Sequence, residues 1–199
     1  MGVARFDVLL RAASNGATVT RKWNKAELLK SIAWLKRMNA RGNNVYVRPD
    51  GEHGLVLLDS LTKENLASMR SKGFPPVIGI EVNQNEFQAW VKLSDGVLPA
   101  EHRRLAKAGL SHTFAGEVTR VTSDGYGWLA GCANHGGSAD WNKLGRYVLA
   151  HSGHFDVGQE AKDYAEYIRT TLEGRAQGKD RKAHVQCLPN HAGPRTRSR

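Results

Sequence analysis

Leu28, Leu29, Ile32, Leu35 and Met38 recur at intervals of three and four residues. That spacing lines one side of a helix, so residues 24–40 are expected to be helical, with Asn24 and Glu27 as a reciprocal capping pair. Residues 45–48 and 55–58 are short, apolar and rich in β-formers, and Pro49-Asp50-Gly51 between them reads as a turn. Thr62 can cap a second helix over residues 62–72, which Gly73 stops. A second strand pair is expected at residues 76–82 and 87–93, joined by the polar turn Asn83-Gln84-Asn85. Pro99 suits the first turn of a third helix, residues 99–110, which is basic along one side. Tyr164, Ile168 and Leu172 form one stripe of a last helix over residues 159–173. Strands and helices intermixed, with hairpin-length turns, indicate an α+β fold whose sheet is covered mainly on one face.

Two segments break the pattern. Residues 112–154 are rich in Gly, His and small polar residues with little periodicity, which in a folded domain more often marks function than ornament. Residues 179–199 carry Lys179, Arg181, Lys182, Arg195, Arg197 and Arg199 against the single acid Asp180, and lack core-forming side chains. Such a tail is expected to stay disordered until it meets a polyanion. Charge changes the picture further. The 199 residues include 29 Lys and Arg against 19 Asp and Glu, a formal +10. Nucleic acid is the commonest partner for such a field, although an anionic membrane surface or an acidic protein would also satisfy it. Two cysteines make no disulfide framework, the start of the chain lacks the pattern of a secretory signal, and no apolar run reaches the roughly eighteen residues of a membrane span. A cytoplasmic protein is expected.

The strongest candidate for chemistry is HGLVLLDS, residues 53–60. An apolar strand ending in Asp59 sets a carboxylate at a sheet edge, where it can hold a hard divalent cation. Enzymes that polymerise nucleotides need carboxylates converging on metal ions about 4 Å apart. Asp140 is the first choice for the second acid and Asp124 the next. Against this stands the plainer use of an Asp after a strand, in a turn or a helix cap. Cys132-x-x-His135 and His151-x-x-His154 have spacings within reach of structural zinc, but their flanks are not finger-like, so zinc is disfavoured. Neither a Gly-x-Ser-x-Gly elbow nor a Walker phosphate loop occurs.

Residues 31–104 resemble the RepB-like DNA primase domain of plasmid replication and mobilisation proteins. The likeness lies in the helix ending Asn39-Ala40-Arg41-Gly42, the Val47-Arg48-Pro49 strand, the strand from Glu52 to Leu58 and the Gln88-Ala89-Trp90-Val91 strand, with RFDVLL and ADWNKLGR extending it. The resemblance implies an archaeo-eukaryotic-type primase: an RNA-recognition-like mixed or antiparallel sheet with helices packed on it, followed by a C-terminal helix and basic tail. It implies a catalytic domain over residues 1–154, a helix over 155–178 and a disordered basic tail over 179–199. By the same resemblance Asp59 and Asp140 are catalytic and bind Mg²⁺ or Mn²⁺, with Asp124 as the further metal candidate. Arg48, His53, Gln88 and Arg146 would contact nucleotide or DNA. The implied partners are single-stranded DNA, nucleoside triphosphates and plasmid replication or mobilisation proteins, in a bacterial cytoplasm. The chain departs from the family at Ser60, where a second acid is usual, and at Gln88, where many members carry His. LAGCAN, residues 129–134, also precedes ADWNKLGR instead of following it. The alternative reading is a catalytically weakened, primase-like module that binds single-stranded DNA.

Overall fold

Alternation in the first strand sets the architecture. In β1 (Arg5–Ala12), Val8 and Leu10 turn to a core while Asp7, Leu9 and Arg11 occupy the opposite face. The computed structural model describes residues 3–114, 125–136, 147–151 and 156–176. β1 turns through Gly16, whose φ of +72° lies in the left-handed region, and pairs antiparallel with β2 (Thr18–Asn24). This hairpin has no counterpart in the periodicity reading, because β2 is exposed along most of its length and shows no apolar alternation.

The helix expected over residues 24–40 is two helices, α1 (Lys25–Lys30) and α2 (Ile32–Ala40), broken at Ser31. The Asn24–Glu27 capping box is present as expected. The inward stripe is also narrower than expected. Leu28, Trp34, Leu35 and Met38 pack with Val8, Leu10 and Val45, whereas Leu29 and Ile32, part of the expected stripe, are exposed.

β3 (Asn43–Asp50) outruns its expected end. It pairs antiparallel with β1, Asp7 opposite Arg48 and Arg5 opposite Asp50, so Pro49 and Asp50 belong to a strand and the turn moves to Gly51 (φ +83°). The rest of the order is β4 (Leu55–Leu61), α3 (Lys63–Ser71), β5 (Pro76–Asn83), β6 (Glu86–Lys92), α4 (Ala100–Phe114), β7 (Gly127–Trp128), β8 (Leu149–His151) and α5 (Gln159–Ala176). Thr62 caps α3 through a reciprocal bond pair with Asn65.

Among the described residues the strands form two antiparallel sheets, β2-β1-β3-β7 and β4-β6-β5-β8, where a single sheet was expected. Both faces of the second sheet are covered. Val56, Leu58, Phe87, Ala89 and Val91 lie under α3, α4 and α5, meeting Leu66, Met69, Leu110, Phe114 and Ile168. Leu55, Leu57, Ile80, Val82 and Trp90, on the other face, meet Trp128 and Ala130. β7 therefore joins the sheets: it pairs with β3 of the first and lies across Trp90 of the second. Gly127 permits this approach, since a Cβ there would stand 2.9 Å from Trp90 Nε1. No described helix is long and apolar enough to cross a membrane. The basic tail at 179–199 lies outside the described residues.

Candidate active site

β4 leaves its register with β6 between Leu58 and Leu61, and Ser60 within that bulge has φ +56°. A bulge of this kind re-aims the side chains beside it and recurs next to active sites. By strand alternation Asp59 falls on the face of Leu55 and Leu57, which is the face turned to β7. The Ser60 N–H donates to Asp59 Oδ1 at 2.9 Å. Two neighbours feel the Asp59 charge. Burial pushes the Tyr46 hydroxyl up, and Asp59 adds to the shift. Burial also pushes the Lys107 ammonium down, with Asp59 opposing.

A cavity of about 410 Å³ opens along β4, between β3 and α4. Its wall includes Arg48, His53, Trp90, Arg103, Arg104 and Lys107. Arg48 reaches it from β3, held by the buried Asp7 opposite it on β1. Its Nε and Nη2 both donate to Asp7 Oδ2, at 3.0 and 2.8 Å, and its guanidinium lies 4.4 Å over the Tyr126 ring. Lys22 stands 3.7 Å from the other Asp7 oxygen and 3.2 Å from Asp50. The Leu55 N–H donates to His53 Nδ1 at 3.2 Å, which assigns the imidazole proton to Nε2. Burial, and then the Arg103 charge, lower the His53 pKa to about 4, so the ring is neutral at pH 7 and acts there as a donor. Arg103 in turn donates to the carbonyls of Leu98, His53 and Gly51.

The structure thus brings Arg48 and His53 into one cavity wall, while Asp59, near enough to act on Tyr46 and on the wall residue Lys107, is not part of the described wall itself. Gln88 sits on the same face but is buried, and its Oε1 accepts from the Trp128 N–H at 2.9 Å, fastening β7 to β6. Asp124, Asp140 and Arg146 lie outside the described residues, as does His154. The other zinc candidates have partners of their own. Cys132 packs among Val8, Leu10, Leu35 and Val45, and burial raises its thiol to about 11. His135 Nε2 lies 2.7 Å from the Asn39 carbonyl, and His151 Nε2 lies 3.0 Å from Glu81. Asp7 and Lys107 were not among the sequence candidates. The signal for Asp7 was available, a lone acid inside the apolar run Phe6–Leu10. Lys107 showed only as one cation among several on a basic helix.

Comparison with known proteins follows the same lines. The family model of the RepB DNA-primase N-terminal domain matches residues 11–144. Mobilization protein A of Escherichia coli is 39% identical over 136 residues, which are 67% of this chain and 19% of that protein. The chain therefore corresponds to about a fifth of that relative's length. The crystal structure of primase RepB′ superposes with a TM-score of 0.80 at 31% identity, covering 90% of this chain and 62% of that one. The catalytic domain of primase RepB′ in complex with initiator DNA gives 0.78 at 31%, covering 90% and 93%. The AEP domain of a cyanophage S-2L primase-polymerase gives 0.58 at 11% identity, over 85% and 90%, a likeness of fold alone.

Proposed function

The chain belongs to the RepB DNA-primase N-terminal domain family, and from that membership we infer a nucleotidyltransferase that builds short primers on single-stranded plasmid DNA, in replication or mobilisation, with Mg²⁺ or Mn²⁺. The observation that carries the reading is Asp59, set by a bulge of β4 on the face turned to β7, with the cation-lined cavity alongside that strand.

Primer synthesis joins a 3′-hydroxyl to the α-phosphorus of a nucleoside triphosphate and expels pyrophosphate. Charge gathers on phosphoryl oxygens, so the protein's task is to position the reactants and answer that charge. Asp59 offers the hard oxygen donors that Mg²⁺ prefers, and Mg²⁺ commonly binds through one or two carboxylates plus substrate phosphates and water. Ser60 brings a hydroxyl where a second carboxylate would stand, and no group of three or more His, Cys, Asp or Glu converges among the described residues. The described donors therefore fit a cation anchored by Asp59 and completed by the substrate, with Asp140 or Asp124 as the further acid. A cation bound there would neutralise phosphoryl charge and align the reacting oxygens. Arg48 is oriented by Asp7 before any substrate arrives, the condition for a guanidinium to grip a phosphate without fresh ordering cost. His53 contributes a neutral Nε2–H donor, and Arg146 is assigned to phosphate. Gln88, with Oε1 committed to Trp128, keeps its amide N–H₂ as the group that could face nucleotide.

The test is primer synthesis on circular single-stranded DNA with labelled nucleotides, in Mg²⁺, in Mn²⁺ and in chelator. Short metal-dependent products are expected. Ser60 favours one second reading, a module that grips single-stranded DNA without polymerising. That reading is the one that stands if no product forms in any metal while salt-sensitive DNA binding persists.

A further inference from the structure

β7 is too short to place itself. It contributes two residues, Gly127 and Trp128, paired with Val47 and Tyr46 of β3. A ladder of that length holds few backbone bonds, so side chains decide where it lies. The Leu129 N–H donates to the Val45 carbonyl at 3.0 Å, so by alternation the Trp128 N–H points away from β3, towards the second sheet. Gln88 meets it there, its Oε1 accepting at 2.9 Å. A backbone N–H turned inward is costly to leave unmet, so this bond fixes the strand. Gln88 itself is 3% exposed, in the middle of β6 and on the face of Trp90. The Trp128 ring lies on Tyr46, centroids 4.5 Å apart, and Gly127 packs against Trp90.

Tyr126 directly precedes β7, and its ring centroid lies 4.4 Å from the Arg48 guanidinium. Asp7 takes one edge of that guanidinium, but both bonds, from Nε and Nη2, end on the single oxygen Oδ2. Two donors on one acceptor leave the group able to swing about that oxygen, and a ring over one face removes this freedom. We propose that Gln88 is a positioning residue: by holding the Trp128 N–H it keeps Tyr126 over Arg48, and so fixes the plane in which Arg48 meets the substrate. This rests on the nucleotidyltransferase reading above. Gln88 then serves synthesis through β7 without touching nucleotide. A glutamine oxygen accepts the bond at any pH, whereas a histidine there would lose its acceptor on protonation.

The first measurement needs no synthesis. In the isotope-labelled full chain the Arg48 Nε–H resonance lies within the ring current of Tyr126, and Tyr126→Leu removes that contribution. Gln88→Met keeps the length of the side chain and loses the acceptor. It should move the Arg48 resonance the same way as Tyr126→Leu, and speed hydrogen exchange at the Trp128 amide about tenfold. Gln88→Asn, one methylene shorter, should give the same changes at smaller size and is read in the same way if Gln88→Met does not fold. Tyr126→Phe, which keeps the ring, should leave the resonance near its wild-type place. In synthesis, referred to the folded fraction, Gln88→Met and Tyr126→Leu should each lower kcat/KM for nucleoside triphosphate about tenfold, and the double variant no further, because both act through one contact. The proposal is overturned if the Arg48 resonance stays unmoved in the Gln88 variants, which would make the bond a matter of stability alone. It is equally overturned if the two losses in synthesis multiply, since the Gln88 amide would then touch nucleotide independently of Tyr126. A Gln88-dependent shift at Arg48 in a chain that makes no primers would keep the positioning role and discard the polymerase reading.

Discussion

At the scale of single residues, the candidate chemistry turns on positions 59 and 60. Asp59→Ala should abolish primer synthesis and leave DNA affinity nearly unchanged, because it removes the proposed cation ligand and no basic surface. Parallel loss of both in a synthesis assay and a binding titration would make Asp59 structural instead. Ser60 is the informative neighbour. Its φ of +56° lies where most side chains are strained and Asp and Asn are comparatively tolerated, so Ser60→Asp is sterically compatible with the bulge. We expect Ser60→Asp to increase synthesis and lower the Mg²⁺ concentration needed for it. A metal titration identical to the wild type would show that position 60 contributes nothing to cation binding. His53 gives a pH signature. Its folded pKa of about 4 lies below the ordinary 6.5, so as pH falls the unfolded chain takes up the proton first. His53 therefore withdraws stability between about pH 6.5 and 4, and has none to withdraw above that window. Melting curves of His53→Gln across pH 7 to 4 should fall less steeply than those of the wild type; equal slopes would mean that the ring protonates freely in the fold.

At the scale of elements, close approaches decide which helices share a core. α5 packs through Tyr164, Ile168 and Leu172 on the cluster beneath α3 and α4, and Gly109 of α4 faces the Tyr164 ring. A Cβ on Gly109 would lie 2.0 Å from the Tyr164 hydroxyl oxygen and 3.3 Å from its Cζ. Gly109→Ala should therefore destabilise by about 1–3 kcal/mol, an overpacking cost that outweighs the propensity gain of up to about 1 kcal/mol of Ala over Gly in a helix. Adding Tyr164→Phe removes the atom at 2.0 Å and should recover most of the loss. Denaturant midpoints of the two single variants and the double variant measure this, and strict additivity would mean that the two residues do not meet. The element boundaries that departed from the periodicity reading have similar causes. Leu28, Leu35 and Met38, spaced by seven and three residues, keep one stripe towards the first sheet across the break at Ser31, while Leu29 and Ile32 beside that stripe are exposed. Pro49 stays in β3 because it falls at the end of the strand, where a missing N–H matters least.

At the scale of the whole molecule, the formal +10 is a property no single site explains. If it serves single-stranded DNA, affinity should fall steeply with salt. Neutralising about four phosphates would cost roughly fifty-fold between 50 and 200 mM monovalent salt. Fluorescence anisotropy of an oligonucleotide across that range checks it, and a flat response would rule out a polyelectrolyte interaction. The two sheets meet through β7, a strand of two residues whose attachment to the second sheet includes the Gln88–Trp128 bond. The Asp59 side of the second sheet is thereby turned towards Tyr46 and Arg48 of the first.

Local pattern alone determined a good deal. The α3, α4 and α5 stripes, the Asn24 and Thr62 caps, the β5–β6 hairpin and Asp59 at the end of an apolar strand were all legible, because each depends on residues within a few positions of one another. The family, too, was legible in the motifs of residues 31–104. What pattern left open depends on partners far apart in the chain. β2 becomes a strand because β1 lends it a register, and Gln88 is buried because a two-residue strand forty positions away needs its oxygen. Asp7 matters because strand pairing sets it opposite Arg48, and Lys107 because packing of α4 against β4 closes water away from its ammonium. Burial and long-range pairing are properties of the assembled chain, so they give an ordinary acid and an ordinary lysine their particular surroundings only once the fold exists.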